Sequence, residues 1–325
     1  MPRFLVIQTA FIGDVILATP IIEKLYKFFP NDSVDLFIRK GNDSLFHEHP
    51  HVKNLYVWDK EKNKYGNLIS LIKVIRKYRY DYVINLQRFL STGLLTLFSR
   101  TDHRIGFCEN PFSFLYHFKV PYSIIKGLHE VDRNINLIEH LTDSESMRPV
   151  LYPSKSDFGK VEPFKEKPYI CLAPASIWFT KRLPQKKWVE LARNLYKTFT
   201  LLFIGSIDDR NLCDQIISHL PPNSAQNLCG RLSLLQSAAL MQNAQMNYVN
   251  DSAPLHLASS VNAPTTAFFC STVPDFGFGP LAETSVMAQI EEDLYCRPCG
   301  IHGRIKCPER HFQCGHDINV KKYLP

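Results

Sequence analysis

The chain has 325 residues, 45% of them hydrophobic and 21% charged, with a formal net charge of +7. That length is more than one compact core usually serves, so two domains are expected. No apolar run approaches the ~18 residues of a membrane span, and the N-terminus lacks a secretion-signal pattern, so a cytoplasmic location is the default expectation. Peripheral contact with the inner membrane stays open. The modest positive charge suits an acidic partner and equally suits a merely soluble protein.

In chain order, FLVIQTA reads as a buried strand and GDVILATPIIEKLYKFF as the helix after it. VDLFIRK is a second strand. NLYVWD is a third, followed by NLISLIKVIRKY, with Leu68, Leu71, Ile72 and Ile75 at helical spacing. DYVINLQ, STGLLTLFS and RIGF continue the alternation, and residues 129–141 read as a further helix. Near-continuous apolar strands between helices predict a parallel sheet covered on both faces.

Residues 148–168 carry four prolines and many charges with little periodicity, a linker signature. The expected division is a first domain over 1–153, a linker over 154–168, and a second domain over 169–325. The second half repeats the pattern: YICLAPAS, LPQKKWVELARNLYK, TLLFIGS, SLLQSAALMQN, MNYVND, PLHLASSV and PTTAFFC. The fold class is therefore α/β, with two doubly wound Rossmann-like domains whose strand-end loops face a cleft.

Three loops can carry chemistry. In APASIWFTKRLP, Ser176, Thr180 and Lys181 stand between a strand and a helix, where a diphosphate could take hydroxyls, N–H groups and an ammonium. A solvated basic loop reads equally from the spacing. In NDSAPLHLA, Asp251 or Ser252 can cap the next helix, whose N-terminus, opening at Ala253, suits an anion. His256 follows on its first turn or so, or is simply a packed histidine. The first loop holds Gly13 and then Asp14. A carboxylate ~5 Å from a phosphate charge would cost about 3 kcal/mol at an effective dielectric of 20, so this loop is a poor phosphate cradle. Asp14 either takes a proton from the other reactant or merely caps its helix.

FIGDVILATP, the P-x-S…TKR-x-P loop before WVELA, and NDS-x-P-x-HLA followed by APTTAFF together resemble the ADP-heptose:lipopolysaccharide heptosyltransferases, the family 9 glycosyltransferases. The resemblance covers most of the chain. It implies a GT-B fold and an inverting, metal-independent transfer with no catalytic cofactor. The implied donor is ADP-heptose or a similar nucleotide sugar, and the implied acceptor is the lipopolysaccharide core or its lipid A precursor. It makes Asp14 the general base, with Gly13 beside it in the acceptor loop, and puts Lys181, with Ser176 nearby, at the donor diphosphate. It also places Asp251, Ser252 and His256 in the donor motif. Ala253 stands where that motif usually has glycine, and Ile177, Trp178 and Phe179 make the phosphate loop unusually apolar. Both departures bear on donor identity more than on reaction type.

Gln87 and Arg88 end a first-domain strand, and His129 and Arg133 lie four apart on the expected helix. Such side chains suit an acceptor bearing carboxylates and phosphates; each also reads as a solvated surface group. Five cysteines, at 108, 171, 213, 229 and 270, are expected as buried free thiols. Cys296, Cys299, Cys307 and Cys314 could form a structural four-thiolate Zn or Fe site, with reduced thiols or disulfides as the alternatives.

Other classes fit less well. No recognition helix gathers the scattered basic residues, which argues against a nucleic-acid partner. No G-x-G-x-x-G follows a strand, which argues against a nicotinamide oxidoreductase. A family member with another donor, or with a protein or other glycan acceptor, stays open, as does a sugar-nucleotide-binding protein without catalysis.

Overall fold

The computed structural model describes residues 2–325. It separates into two compact units, one ending at Tyr152 and the other starting at Pro153, with Ile125–Gly127 grouped with the second.

The first unit is built from β1 (Arg3–Gln8), α1 (Ile12–Ile16), α2 (Thr19–Phe28), β2 (Ser33–Arg39), β3 (Val52–Trp58), α3 (Lys64–Ile75), β4 (Tyr80–Asn85), α4 (Leu90–Phe98), β5 (Thr101–Phe107), β6 (Phe118–Val120) and α5 (Glu130–Ile135). Its six strands are all parallel, in the order β3-β2-β1-β4-β5-β6. β1 is buried along nearly its whole length, as a central strand covered on both faces must be.

Two helices differ from expectation. The single helix expected after β1 is broken into α1 and α2. Pro20 has no N–H to give, and the Ile16 carbonyl accepts from the Thr19 hydroxyl at 2.8 Å instead. The helix expected over 129–141 is helical only through Ile135, and His129 is its N-cap.

The second unit contains α6 (Lys155–Val161), β7 (Tyr169–Ala173), α7 (Gln185–Leu195), β8 (Thr200–Phe203), α8 (Arg210–Ile217), β9 (Ala225–Asn227), α9 (Leu234–Gln242), β10 (Met246–Asn250), α10 (Ala253–Ser260), β11 (Thr265–Phe269), β12 (Ser285–Gln289) and α11 (Gln313–His316). Its parallel sheet runs β12-β11-β10-β7-β8-β9, the same connectivity as the first. Within the proline-rich stretch read as linker, Ser154 and Asp157 form a capping box that starts α6. The C-terminal segment closes the core: Phe312, Cys314, Ile318 and Val320 pack with Trp188, Phe203 and Phe268. Among the described residues, no helix is long and apolar enough to cross a membrane.

Candidate active site

Each sheet reverses its strand order once, between β1 and β4 in the first unit and between β7 and β10 in the second. The loops leaving such a pair diverge to opposite faces and open a crevice at the carboxyl ends of the strands, where α/β folds bind ligands. The segments singled out in the sequence at 13–14, 87–88, 176–181 and 251–256 all leave these four strands.

In the first unit a buried amide pair ties the two diverging loops together. Gln87 Nε2 donates to Gln8 Oε1 at 2.5 Å, and the same oxygen accepts the Ala10 N–H at 3.1 Å. Gln87 is thus 7% exposed and holds the loops, while its neighbour Arg88 is exposed. The Arg88 guanidinium lies 3.7 Å over the Tyr122 ring. Gly13 and Asp14 sit half-buried in the first turn of α1, whose N-cap is Phe11. A carboxylate there is favoured by the helix dipole.

Asp14 has a second carboxylate nearby, Glu130. Burial raises the Glu130 carboxyl above its ordinary value; Arg133 and Tyr122 pull it back, and the charge of Asp14 raises it further. Arg133 pairs with Glu130 at 2.9 Å and donates to the carbonyls of Ser123 and Leu128. It is 2% exposed. His129 accepts the Val131 N–H through Nδ1. His129 thus caps α5, while Arg133, read as a possible solvated surface charge, is built into a buried ion pair with Glu130.

In the second unit Asn250, the last residue of β10, does the corresponding work. It is fully buried; its Oδ1 accepts the Leu183 N–H at 2.9 Å and its Nδ2 donates to the Pro174 carbonyl at 2.8 Å. The loop after β7 is thereby pinned at both ends to the strand that carries Asp251. Lys181 Nζ stands 2.7 Å from Asp251 Oδ2, which also accepts the Thr272 hydroxyl at 2.6 Å. Asp251 does not cap α10: Ser252 is the N-cap and Ala253 opens the helix. His256 is 5% exposed on that helix. Ser176 is half-buried and its carbonyl accepts from Arg182 Nε. Thr180 is 1% exposed, and its hydroxyl accepts from Ser271 Oγ at 2.9 Å and from the Arg304 N–H at 2.7 Å. Pro184 precedes α7 as its N-cap rather than occupying its first turn. An ion-paired ammonium, a helix N-terminus and a pinned loop thus meet at one switch point.

The cysteine expectations need correction. Cys171, Cys213, Cys229 and Cys270 are buried free thiols as expected, whereas Cys108 is exposed. Among the described residues, no group of three or more His, Cys, Asp or Glu is placed to hold a metal ion, which gives the four-thiolate reading no support. Cys314 is absorbed into the apolar core, where burial pushes its thiol up to about 12. The Cys299 thiol donates to the Cys296 carbonyl at 3.3 Å, and Cys296 Sγ faces His311 Nε2 at 3.8 Å.

Sequence reasoning missed Gln8, Glu130, Asn250 and Thr272. Asn250 had a legible signal: an amide ending an otherwise apolar buried strand must find partners. Gln8 and Thr272 act through contacts distant in sequence, whereas Glu130 meets Arg133 at i,i+3 on one helix, a spacing the sequence did show.

Two parallel doubly wound α/β units are the architecture of GT-B glycosyltransferases. The profile of glycosyltransferase family 9 (heptosyltransferase) matches residues 68–305. Lipooligosaccharide heptosyltransferase 2 of Campylobacter jejuni is 23% identical over 96% of this chain and 94% of its own. Lipopolysaccharide heptosyltransferase 3 of Escherichia coli is 26% identical over 80% of each chain. The solved E. coli ADP-heptose lipopolysaccharide heptosyltransferase II superposes with a TM-score of 0.78 at 22% identity, covering 99% of this chain and 100% of that one. The chain belongs to glycosyltransferase family 9 and is a glycosyl-transferring enzyme.

Proposed function

We propose that the protein transfers heptose from ADP-heptose to the inner core of lipopolysaccharide, with inversion and without a catalytic metal. The observation that carries this reading is the Lys181–Asp251 pair at the second switch point, beside the N-terminus of α10. A nucleoside diphosphate needs positive charge there: the helix dipole supplies part of it, and the diphosphate would have to draw the Lys181 ammonium, neutralised here by Asp251, onto itself. The names of the relatives supply the sugar and the acceptor.

Asp14 is the general base. It would accept the proton of the acceptor hydroxyl as that oxygen attacks the anomeric carbon and the ADP oxygen leaves. Positioned proton transfer of this kind contributes roughly 10²–10⁴ in rate. Arg88 is the exposed cation of the first switch point and suits an acidic acceptor sugar. Phe89 and Leu90, at the start of α4, and Phe114 and Leu115, in the turn after β5, are all exposed, which supports peripheral approach to a membrane-anchored acceptor.

A second reading keeps the reaction and changes the donor. Ala253 begins α10 where the motif has glycine, and Ile177 in the diphosphate loop is 72% exposed. The test is turnover of ADP-heptose on a heptose-deficient lipopolysaccharide, followed by ADP release and product mass. Transfer of one heptose supports the first reading. Binding without transfer points to another acceptor, and indifference to ADP-heptose overturns the donor assignment.

A further inference from the structure

The C-terminal segment Arg297–Arg304 touches both members of the Lys181–Asp251 pair's surroundings. On one side, the Thr180 N–H donates to the Arg304 carbonyl at 3.0 Å, and the Arg304 N–H returns to the Thr180 hydroxyl at 2.7 Å. On the other, Arg297 Nη2 donates to the Thr272 carbonyl at 2.8 Å, and the Thr272 hydroxyl donates to Asp251. Between these anchors the Cys299 N–H donates to the Ser271 carbonyl at 2.9 Å, and the Ser271 hydroxyl donates to Thr180.

Gly303 sits directly against the lysine. Its backbone is left-handed, with φ +76°, and a Cβ on it would meet Lys181 Cγ at 2.9 Å, Thr180 Oγ1 at 3.2 Å and Trp178 Cβ at 3.3 Å. Gly300 is also left-handed, with φ +113°, but a Cβ there would meet nothing within 4 Å. The two glycines separate backbone strain from contact: both need the conformation, and only Gly303 needs the space.

We infer that Arg297–Arg304 is the positioning element of the donor site: Gly303 and Arg304 fix the Lys181 stem, and Arg297 through Thr272 fixes the carboxylate that receives its ammonium. The inference rests on Lys181 serving the donor diphosphate. It gives the C-terminal segment a task that needs no metal: it forms the outer wall of the loop that carries the lysine. A displaced ammonium loses its carboxylate and its aim together, because the pair is made by one oxygen of Asp251.

The test compares Gly303→Ala with Gly41→Ala in the full chain, using two readouts; Gly41 is left-handed at φ +95°, has nothing within 4 Å of an added Cβ and lies outside the segment. The first is the rate at which an amine-acylating reagent labels Lys181, read by mass spectrometry. The second is the affinity for ADP. Gly303→Ala should speed labelling of Lys181 and weaken ADP binding about tenfold, with Gly41→Ala within about twofold of wild type in both. Thr180→Val, which removes the acceptor for the Arg304 N–H, should shift both readouts in the same direction and serves if Gly303→Ala does not fold. Unchanged labelling of Lys181 in the folded variants overturns the inference, as does an equal response to Gly41→Ala. Faster labelling with unchanged ADP affinity upholds the positioning and overturns the donor role of Lys181 instead.

Discussion

Asp251 Oδ2 receives the Lys181 ammonium at 2.7 Å and the Thr272 hydroxyl at 2.6 Å, so one carboxylate oxygen joins the ends of β10 and β11 to the loop after β7. The two charged side chains are 5% and 14% exposed. Removing one partner strands the other in a dry place. Lys181→Met is expected to lower unfolding free energy by roughly 2–3 kcal/mol, and adding Asp251→Asn should recover part of that loss. Urea denaturation of Lys181→Met, Asp251→Asn and the double variant measures the three numbers the comparison needs. A double variant less stable by the full sum of the singles would mean the pair contributes no coupling.

Asp14→Asn keeps the shape of the first turn of α1 and removes the base. Turnover should fall by roughly 10²–10⁴ while ADP affinity stays at the wild-type value. Steady-state kinetics with a donor titration checks this. Near-normal turnover would leave Asp14 only its place at the positive end of α1.

Asn250→Ala removes the buried amide that holds the loop after β7 and orphans the Leu183 N–H and the Pro174 carbonyl. The expected cost is about 3 kcal/mol of stability, since each stranded buried group costs about 1–3 kcal/mol. ADP binding should weaken in parallel because the loop carries Lys181. Calorimetry gives both quantities on one sample.

Lys60 reports on the loop after β1. Its ammonium donates to the Thr9 carbonyl at 2.6 Å, and burial, with Arg39 and Lys64 adding repulsion, lowers its pKa to about 8. Between about pH 8 and the unfolded lysine value near 10.5 the unfolded chain binds more protons, so this group's contribution favours the fold more as pH rises through that window. That contribution is fully present above about 10.5 and lost as pH falls through 8. At pH 8.5 Lys60 should acylate faster than the exposed lysines once access is normalised, and Lys60→Gln should flatten the alkaline rise in stability. Peptide mapping and a pH series of denaturation midpoints test the two statements separately.

Much of the fold was legible because parallel strands buried on both faces leave continuous apolar runs, as in FLVIQ and YICLA. The break at Pro20 was also written in the sequence, since proline cannot donate to the preceding turn, yet the unbroken apolar spacing across it masked the signal. β6 and β12 went unread: β6 is only three residues long, and the exposed Val286 and Met287 of β12 disguise it. The places of Asp14, Lys181 and Asp251 on the loops after β1, β7 and β10 were readable from the strand pattern. Arg133 was not, because a sequence gives the same arginine whether it meets solvent or a buried Glu130.

The sequence by itself determined the two α/β halves, the loops that carry charge, and the mismatch between Asp14 and a phosphate. These depend on local periodicity and on the sign of single charges, both of which survive without coordinates. Only the tertiary structure decided which polar groups face outward and which are consumed in holding the loops. Gln8 meets Gln87 across 79 positions and Thr180 meets Arg304 across 124, and no local pattern encodes such pairings. The cysteines show the same division: their spacing permitted a metal site, and only the structure shows that Cys314 is buried in the apolar core.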